Sequence, residues 1–274
     1  MMKDLFRKKW ALQRNNAGIK EFQYAQFWDE VKSSPPAAVT IETISTCNRT
    51  CHYCPQSFKS FVDRKQYKME EDLFRKIMDD LYDFGFHGTI NTAFVSEPLM
   101  DKRFVRLFSY AREKLPGSKI ILTTNGDLLT AEKLKVLLDT CVTFVRITQH
   151  DQSGYSQEQE ITEFLKSNEE YYHRVNILRP HFLGGLLNWG GYYKEGAVRE
   201  DYREQCGFYD EAHINYAGIL CQCCNDVYAD YSHGSLADYS FKELWQLSSG
   251  RRLKLFNGEH IKSEQLCKEC TGVM

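Results

Sequence analysis

The stretch STCNRTCHYCPQS, residues 45–57, decides how the chain is read, because it sets Cys47, Cys51 and Cys54 within one short loop. It follows AVTIETIS (38–45), whose β-branched residues mark a buried strand. A structural zinc site closes on four ligands, commonly two CxxC pairs, and the nearest fourth donor is His52, inside the loop itself. Three thiolates on a cubane 4Fe-4S cluster instead leave one iron open to an outside ligand. The loop lies at the C-terminal end of a strand, where barrel enzymes gather their chemistry, and that position marks it as a candidate site.

Outward from the loop, strands and helices alternate. MEEDLFRKIMDDLYDFG (69–85) predicts a helix with Leu73, Phe74, Ile77, Met78, Leu81 and Phe84 on one face and Gly85 as its stop. Strand GTINTAFV (88–95) precedes a helix from Asp101 carrying Phe104, Val105, Phe108 and Ala111; strand KIILTT (119–124) precedes one from Thr130 with Leu134, Leu137 and Leu138. Strands VTFVRIT (142–148) and HRVNIL (173–178) flank an acidic helical stretch. Such alternation predicts a parallel sheet. The units are too few for a closed eight-fold barrel, so the expected fold is α/β, a partial (β/α)6 barrel over residues 39–200. Residues 1–38 read as an extension, one amphipathic helix with Phe22, Phe27 and Trp28 that Pro35 and Pro36 end. In residues 201–274, GILCQCCND (218–226) reads as a hairpin arm and SFKELWQL (240–247) as a helix capped by Ser240. That tail is thin in apolar residues and is expected to be a small metal-dependent subdomain.

The formal charge of −2, from 35 basic and 37 acidic residues, offers no polybasic field for nucleic acid or an anionic membrane. No apolar run reaches the roughly 18 residues of a membrane span, and MMKDLFRKKWALQRNN lacks the apolar core of a signal peptide. The expected compartment is the cytoplasm. Thiols stay reduced there, so ten cysteines in tight groups read as metal or catalytic ligands rather than disulfides. The expected ligand is a small molecule.

With an aromatic, Tyr53, just before its last cysteine, the CxxxCxxC loop resembles the signature of the radical S-adenosylmethionine superfamily. The resemblance implies that Cys47, Cys51 and Cys54 hold a 4Fe-4S cluster whose open iron chelates the methionine moiety of S-adenosylmethionine. One electron, from a flavodoxin- or ferredoxin-type donor, then cleaves the sulfonium to a 5'-deoxyadenosyl radical. SEPL, from Ser96 and Glu97 to Leu99, resembles the family turn that holds the methionine ammonium, and TNGD, from Thr124 and Asn125 to Asp127, the turn that approaches the ribose and methionine part. Read without the family, Glu97 is a helix-start residue and Asn125-Gly126 a β-turn. Arg146 is a candidate for the cofactor carboxylate, or else a structural ion pair. In the tail, Cys206, Cys223, Cys267 and Cys270 suit zinc or iron alike. Following such a barrel, the glycine-led hairpin and the closing CxxC resemble the shortened module called Twitch, which implies a second, auxiliary 4Fe-4S cluster.

Over roughly residues 39–274, CNRTCHYCPQS, SEPL, TNGDLLT, ITQHD and LLNWGG resemble a branch of that superfamily that oxidises a secondary alcohol of an aminocyclitol in antibiotic biosynthesis. Trp189 stands where that branch has an arginine facing the substrate, and so offers a stacking face in place of a charged fork. Hydrogen abstraction beside a hydroxyl, followed by loss of a proton and an electron, gives a ketone, with the auxiliary cluster as electron acceptor. A thiol returning a hydrogen atom from the far face would make an epimerase. Cys221 and Cys224 are the candidates, each equally open as an alternative ligand or a buried small residue, while Cys141 reads as core packing. His150, in TQHD, is a candidate general base, or a strand-end histidine held by hydrogen bonds. Asn188 and Trp189 are the expected substrate wall. Modification of a ribosomal peptide is the reading from another class, and a non-enzymatic iron-sulfur carrier a third; a carrier has no need of cofactor turns at three strand ends.

Overall fold

The computed structural model describes residues 26, 28–58, 67–150, 154–178 and 187–273. Phe22, Phe27 and Asp151 lie outside these, and residues 28–33 are helical. The chain divides into two compact units, 1–34 and 35–274, and the second holds every cysteine.

All five predicted barrel strands form: β1 (Ala38–Ile41), β2 (Thr89–Asn91), β3 (Lys119–Thr124), β4 (Phe144–Thr148) and β5 (Val175–Leu178). Period-two alternation sends Val39, Ile90, Ile120, Leu122, Val145 and Ile147 to one buried face, with Val39 beside Ile90, Ile90 beside Ile120 and Leu122 beside Val145. Helices α1 (Glu71–Asp83), α2 (Phe104–Lys114), α3 (Ala131–Thr140), α4 (Glu158–Ser167) and the single turn α5 (Glu169–Tyr172) follow β1 to β4 in the chain. Their stripes, including Phe74, Ile77, Leu107, Phe108, Leu134 and Leu137, join the strand residues in one core. Each such side chain adds about 1.5–3 kcal/mol relative to exposure. The predicted boundaries have physical causes on display: the Thr130 hydroxyl accepts from the Lys133 amide at 3.2 Å to start α3, and Gly85 takes φ +74° to stop α1.

Two strands end earlier than their patterns. After Glu42, whose amide still donates to the Ile214 carbonyl at 2.9 Å, the chain leaves the ladder, and the Ser45 amide donates to the Tyr67 carbonyl at 3.0 Å. After Asn91 the Val95 amide is taken by the Glu42 carboxylate at 3.1 Å instead of by a neighbouring strand. Both departures turn the chain at the strand ends, where the site lies.

The sheet order is β5-β4-β3-β2-β1-β6-β7-β8, with β6 (Glu211–Ile214), β7 (Ile219–Cys221) and β8 (Gly234–Ser235) drawn from the tail. The sixth parallel strand is therefore not a further strand-helix unit: β6 runs parallel to β1, Ala38 opposite Glu211 through Ile41 opposite Ile214. β7 and β8 then continue antiparallel, as the predicted hairpin. This placement explains the thin apolar content of the tail, because Ala212, Ile214, Leu220, Leu236, Phe241, Leu244 and Trp245 complete the barrel core rather than a core of their own. Helix α6 (Phe241–Leu247) carries the capping box expected at Ser240, and α7 (Ser249–Asn257), α8 (His260–Ser263) and α9 (Gln265–Thr271) close the chain. Among the described residues no helix is long and apolar enough to cross a membrane.

Candidate functional site

The three-cysteine loop is fastened to its neighbours before it reaches any ligand. The Gln56 amide donates to the Ser45 carbonyl at 3.0 Å and the Val95 carbonyl at 2.7 Å, and the Glu97 backbone amide donates to the Thr46 carbonyl at 3.0 Å. On the other side Arg49 makes a two-pronged ion pair with Asp127, Nε to Oδ2 and Nη2 to Oδ1, each at 2.6 Å. Asn48 adds a third donor to Asp127 at 3.0 Å, while Asn125 Nδ2 donates to Asn48 Oδ1 at 2.8 Å and stands 3.8 Å from Cys47 Sγ. The Arg49 guanidinium holds the Asp127 carboxyl down at about 2. Sequence reasoning assigned Arg49 and Asp127 no role; the only signal was their presence inside the two motifs.

Within this frame Cys47, Cys51 and Cys54 line a cavity of about 670 Å³, its mouth included, at the C-terminal ends of β1 to β4. Tyr53, Ser96, Glu97, Thr124, Asn125, His150 and Trp189 line it too. Glu97 is turned inward: its carboxylate accepts from the Thr124 hydroxyl at 2.7 Å, the Asn125 amide at 2.9 Å and the Leu99 amide at 3.1 Å. It thereby ties the SEPL turn to the TNGD turn, and burial raises its pKa despite those donors. The Tyr53 hydroxyl and His150 Nδ1 are 2.6 Å apart, and Trp189 Nε1 donates to the Tyr53 carbonyl at 2.8 Å. Trp189 holds φ +50°, a left-handed conformation that its own turn imposes on a bulky residue.

Four expected residues stand elsewhere. Arg146 faces the same side of β4 as Thr148, which lines the cavity, but lies two residues earlier, roughly 6.6 Å down the strand, and is not in the wall. Asn188 is also not in the wall: its amide donates to the Glu269 carbonyl at 2.7 Å and its oxygen accepts from the Gly190 amide at 3.2 Å, so it holds the turn that presents Trp189. Cys221 is buried in β7, register partner of His213, with its thiol toward the Ile219 carbonyl at 3.6 Å. Cys224 stands by Arg199, whose Nη2 is 4.0 Å from its sulfur. Neither thiol reaches the cavity. Cys141 is buried in the main core, as expected.

The other four tail cysteines do gather. Cys206, Cys223, Cys267 and Cys270 line a second space of about 330 Å³ with Phe208, Asn225, Leu255 and Leu266. Burial pushes the thiols of Cys206 and Cys267 up to about 12, and does the same to Cys54 in the first group. Such groups stay protonated near neutrality unless a cation compensates the thiolate, which is the environment a metal-sulfur group supplies. Among the described residues no three His, Cys, Asp or Glu side chains are drawn together tightly enough for one metal ion. A cubane asks for less convergence, because each thiolate takes a different iron. Both donor sets therefore fit iron-sulfur clusters, the first with three protein ligands and the second with four.

Comparison with known proteins agrees with this geometry. Residues 41–183 match the model of the radical SAM superfamily, and residues 206–271 that of the SPASM iron-sulfur cluster-binding domain. The chain is 27% identical over 240 residues to the S-adenosyl-L-methionine-dependent 2-deoxy-scyllo-inosamine dehydrogenase of Niallia circulans, covering 86% of this chain and 92% of that protein. It is similar to the crystal structure of BtrN in complex with AdoMet and 2-DOIA, with a TM-score of 0.74, 25% identity, and coverage of 85% of this chain and 91% of that one. A structure of anSMEcpe with bound AdoMet and a peptide shares the fold, with a TM-score of 0.56 at 15% identity over 88% of this chain and 92% of that one. The chain belongs to the radical SAM superfamily: it is an enzyme of radical SAM oxidoreductase type that binds S-adenosylmethionine and a 4Fe-4S cluster, with an auxiliary iron-sulfur cluster in its SPASM-type tail.

Proposed function

We propose that the enzyme oxidises a secondary alcohol of an aminocyclitol or related sugar to a ketone by two electrons. One observation carries this reading. The thiols lining the first cavity, among the described residues, are those of Cys47, Cys51 and Cys54, while Cys221 and Cys224 lie away from it. A radical formed on a substrate there meets no spare thiol to return a hydrogen atom. The likeness to the inosamine dehydrogenase over most of both chains supports the same outcome.

In this reading Cys47, Cys51 and Cys54 hold the cluster that binds S-adenosylmethionine, and Cys206, Cys223, Cys267 and Cys270 hold the auxiliary cluster. When bound, these groups supply hydrogen-atom abstraction at the first site and an electron acceptor at the second. Residues 39–200 thus carry the abstraction and 201–274 the acceptor, with residues 1–38 as an extension. The Glu97 carboxylate, bonded to Thr124, Asn125 and Leu99, fixes both cofactor turns. His150 takes the hydroxyl proton, and its bond to the Tyr53 hydroxyl sets the tautomer and the ring orientation. Trp189 gives the ring of the substrate an apolar face, held in place through the Tyr53 carbonyl. The electron that starts the reaction comes from a flavodoxin- or ferredoxin-type donor.

The test is an anaerobic incubation of reconstituted enzyme with a reductant, S-adenosylmethionine and 2-deoxy-scyllo-inosamine, then a panel of sugars, in deuterated water. A product lacking two hydrogens, formed in step with 5'-deoxyadenosine, is expected. Recovery of substrate at unchanged oxidation level with solvent deuterium on a carbinol carbon would establish the epimerase instead.

A further inference from the structure

The auxiliary site has polar neighbours that its ligation does not require. Asn225 Nδ2 donates to Cys270 Sγ at 3.0 Å, and Gln222 Nε2 donates to Cys267 Sγ at 3.5 Å. Both amides are almost fully buried, with 2% and 3% exposure. At the other end of the Asn225 amide the Cys224 thiol stands 3.9 Å from Oδ1. Arg199 brings a permanent charge to the same place. Its guanidinium stacks on Tyr202 and Phe208 at 4.9 and 5.4 Å, its Nη2 stands 4.0 Å from Cys224 Sγ, and its backbone amide donates to the Cys270 carbonyl at 2.8 Å.

Two of the four cysteine sulfurs lining the second space therefore receive a side-chain N–H, and a cation stands beside the site. A reduced cluster carries one more negative charge than an oxidised one, spread largely over its sulfurs. Donors and cations stabilise the reduced form more than the oxidised form and so raise the reduction potential. We infer that Asn225, Gln222 and Arg199 are positioning residues that raise the potential of the auxiliary cluster, making it an electron acceptor. This rests on the reading of that cluster as the acceptor in alcohol oxidation. The balance is simple: the substrate radical loses a proton to His150 and one electron to the auxiliary cluster, which is reduced by one electron and later reoxidised by an external acceptor protein of the ferredoxin or flavodoxin class.

The experiment is a potentiometric titration of the fully reconstituted enzyme followed by electron paramagnetic resonance. A full-length Cys47/Cys51/Cys54→Ala variant identifies the auxiliary signal. Asn225→Leu and Arg199→Gln are each expected to lower the auxiliary midpoint by at least a tenfold change in the reduction equilibrium, about 59 mV for one electron, with the first cluster unmoved. Arg199→Lys retains most of the parent value. Variants that hold their iron and titrate within a factor of two of the parent equilibrium overturn the inference. If Asn225→Leu fails to hold the second cluster, Arg199→Gln and Gln222→Leu decide by the same criterion. Unshifted potentials with normal ketone formation would defeat the tuning and leave the dehydrogenase reading intact; shifted potentials in an enzyme that forms no oxidised product would do the reverse.

Discussion

Replacing Asp127 by Asn cuts the brace that holds the three-cysteine loop to the end of β3. The carboxylate accepts from Arg49 Nε and Nη2, Asn48 Nδ2 and the Ser156 amide, and the paired side chains are only 17% and 14% exposed. Moving this carboxyl from its ordinary 3.8 to about 2, chiefly through Arg49, corresponds to about 2 kcal/mol of folding stability at neutral pH. A unit of this size loses roughly 2–4 °C per kcal/mol, so Asp127→Asn should lower Tm by about 4–8 °C at pH 7. The sign follows from a depressed pKa: the contribution is present above the ordinary carboxyl value and is lost as pH falls from about 4 toward about 2. The difference between parent and variant should therefore shrink at pH 3. Thermal unfolding of the metal-free protein under argon, followed by circular dichroism at both pH values, separates the pair from any effect on iron. An equal difference at pH 3 and pH 7, or none at pH 7, would refute the reasoning.

Three further outcomes are expected at the first site. Glu97→Gln sets an amide N–H against one of three donors and should weaken S-adenosylmethionine binding about tenfold, or 1.4 kcal/mol, by equilibrium dialysis; unchanged affinity would separate Glu97 from the cofactor turns. Trp189→Phe keeps an aromatic face but removes the bond to the Tyr53 carbonyl, and should cost about 1 kcal/mol in urea unfolding while preserving oxidation of any substrate that stacks there. His150→Ala should slow ketone formation by roughly a hundredfold or more while 5'-deoxyadenosine still appears; parallel loss of both products would make His150 a cofactor residue instead of a base.

What could be read from the chain was what is local. Strand ends, helix stops and caps depend on neighbours within a few residues, so Gly85, Thr130 and Ser240 gave themselves away. The CxxxCxxC loop is local too, since its spacing alone brings three sulfurs to one place. Pairings across the chain left no such trace. Arg49 and Asp127 are 78 residues apart, and nothing in either segment announces the other. That β6 joins β1 could not be read either, because periodicity reports which face of a strand is buried and not which strand lies beside it. Asn188 was legible as a special residue but not as a buried one: a polar side chain beside an aromatic resembles a substrate contact until its amide is found on the Glu269 carbonyl.

The bond from Asn188 to Glu269 ties the wall of the first cavity to the auxiliary site. The turn bearing Trp189 is built against α9, the helix of the closing cysteine pair: Asn188 bonds the Glu269 carbonyl, and a Cβ on Gly190 would lie 2.3 Å from Leu266 Cδ1. Gly190 at φ +67° and Gly191 at φ +92° satisfy both the backbone and that close approach. Trp189 then reaches back to Tyr53, the residue just before Cys54. One short turn thus links the cavity wall, the first cysteine loop and the helix carrying Cys267 and Cys270. A side-chain change at position 189 alters the wall of the first cavity while the glycines keep the turn seated on α9. In the proposed oxidation a substitution at position 189 is therefore expected to change substrate preference without disturbing the auxiliary site, whereas one at Gly190 would disturb both at once.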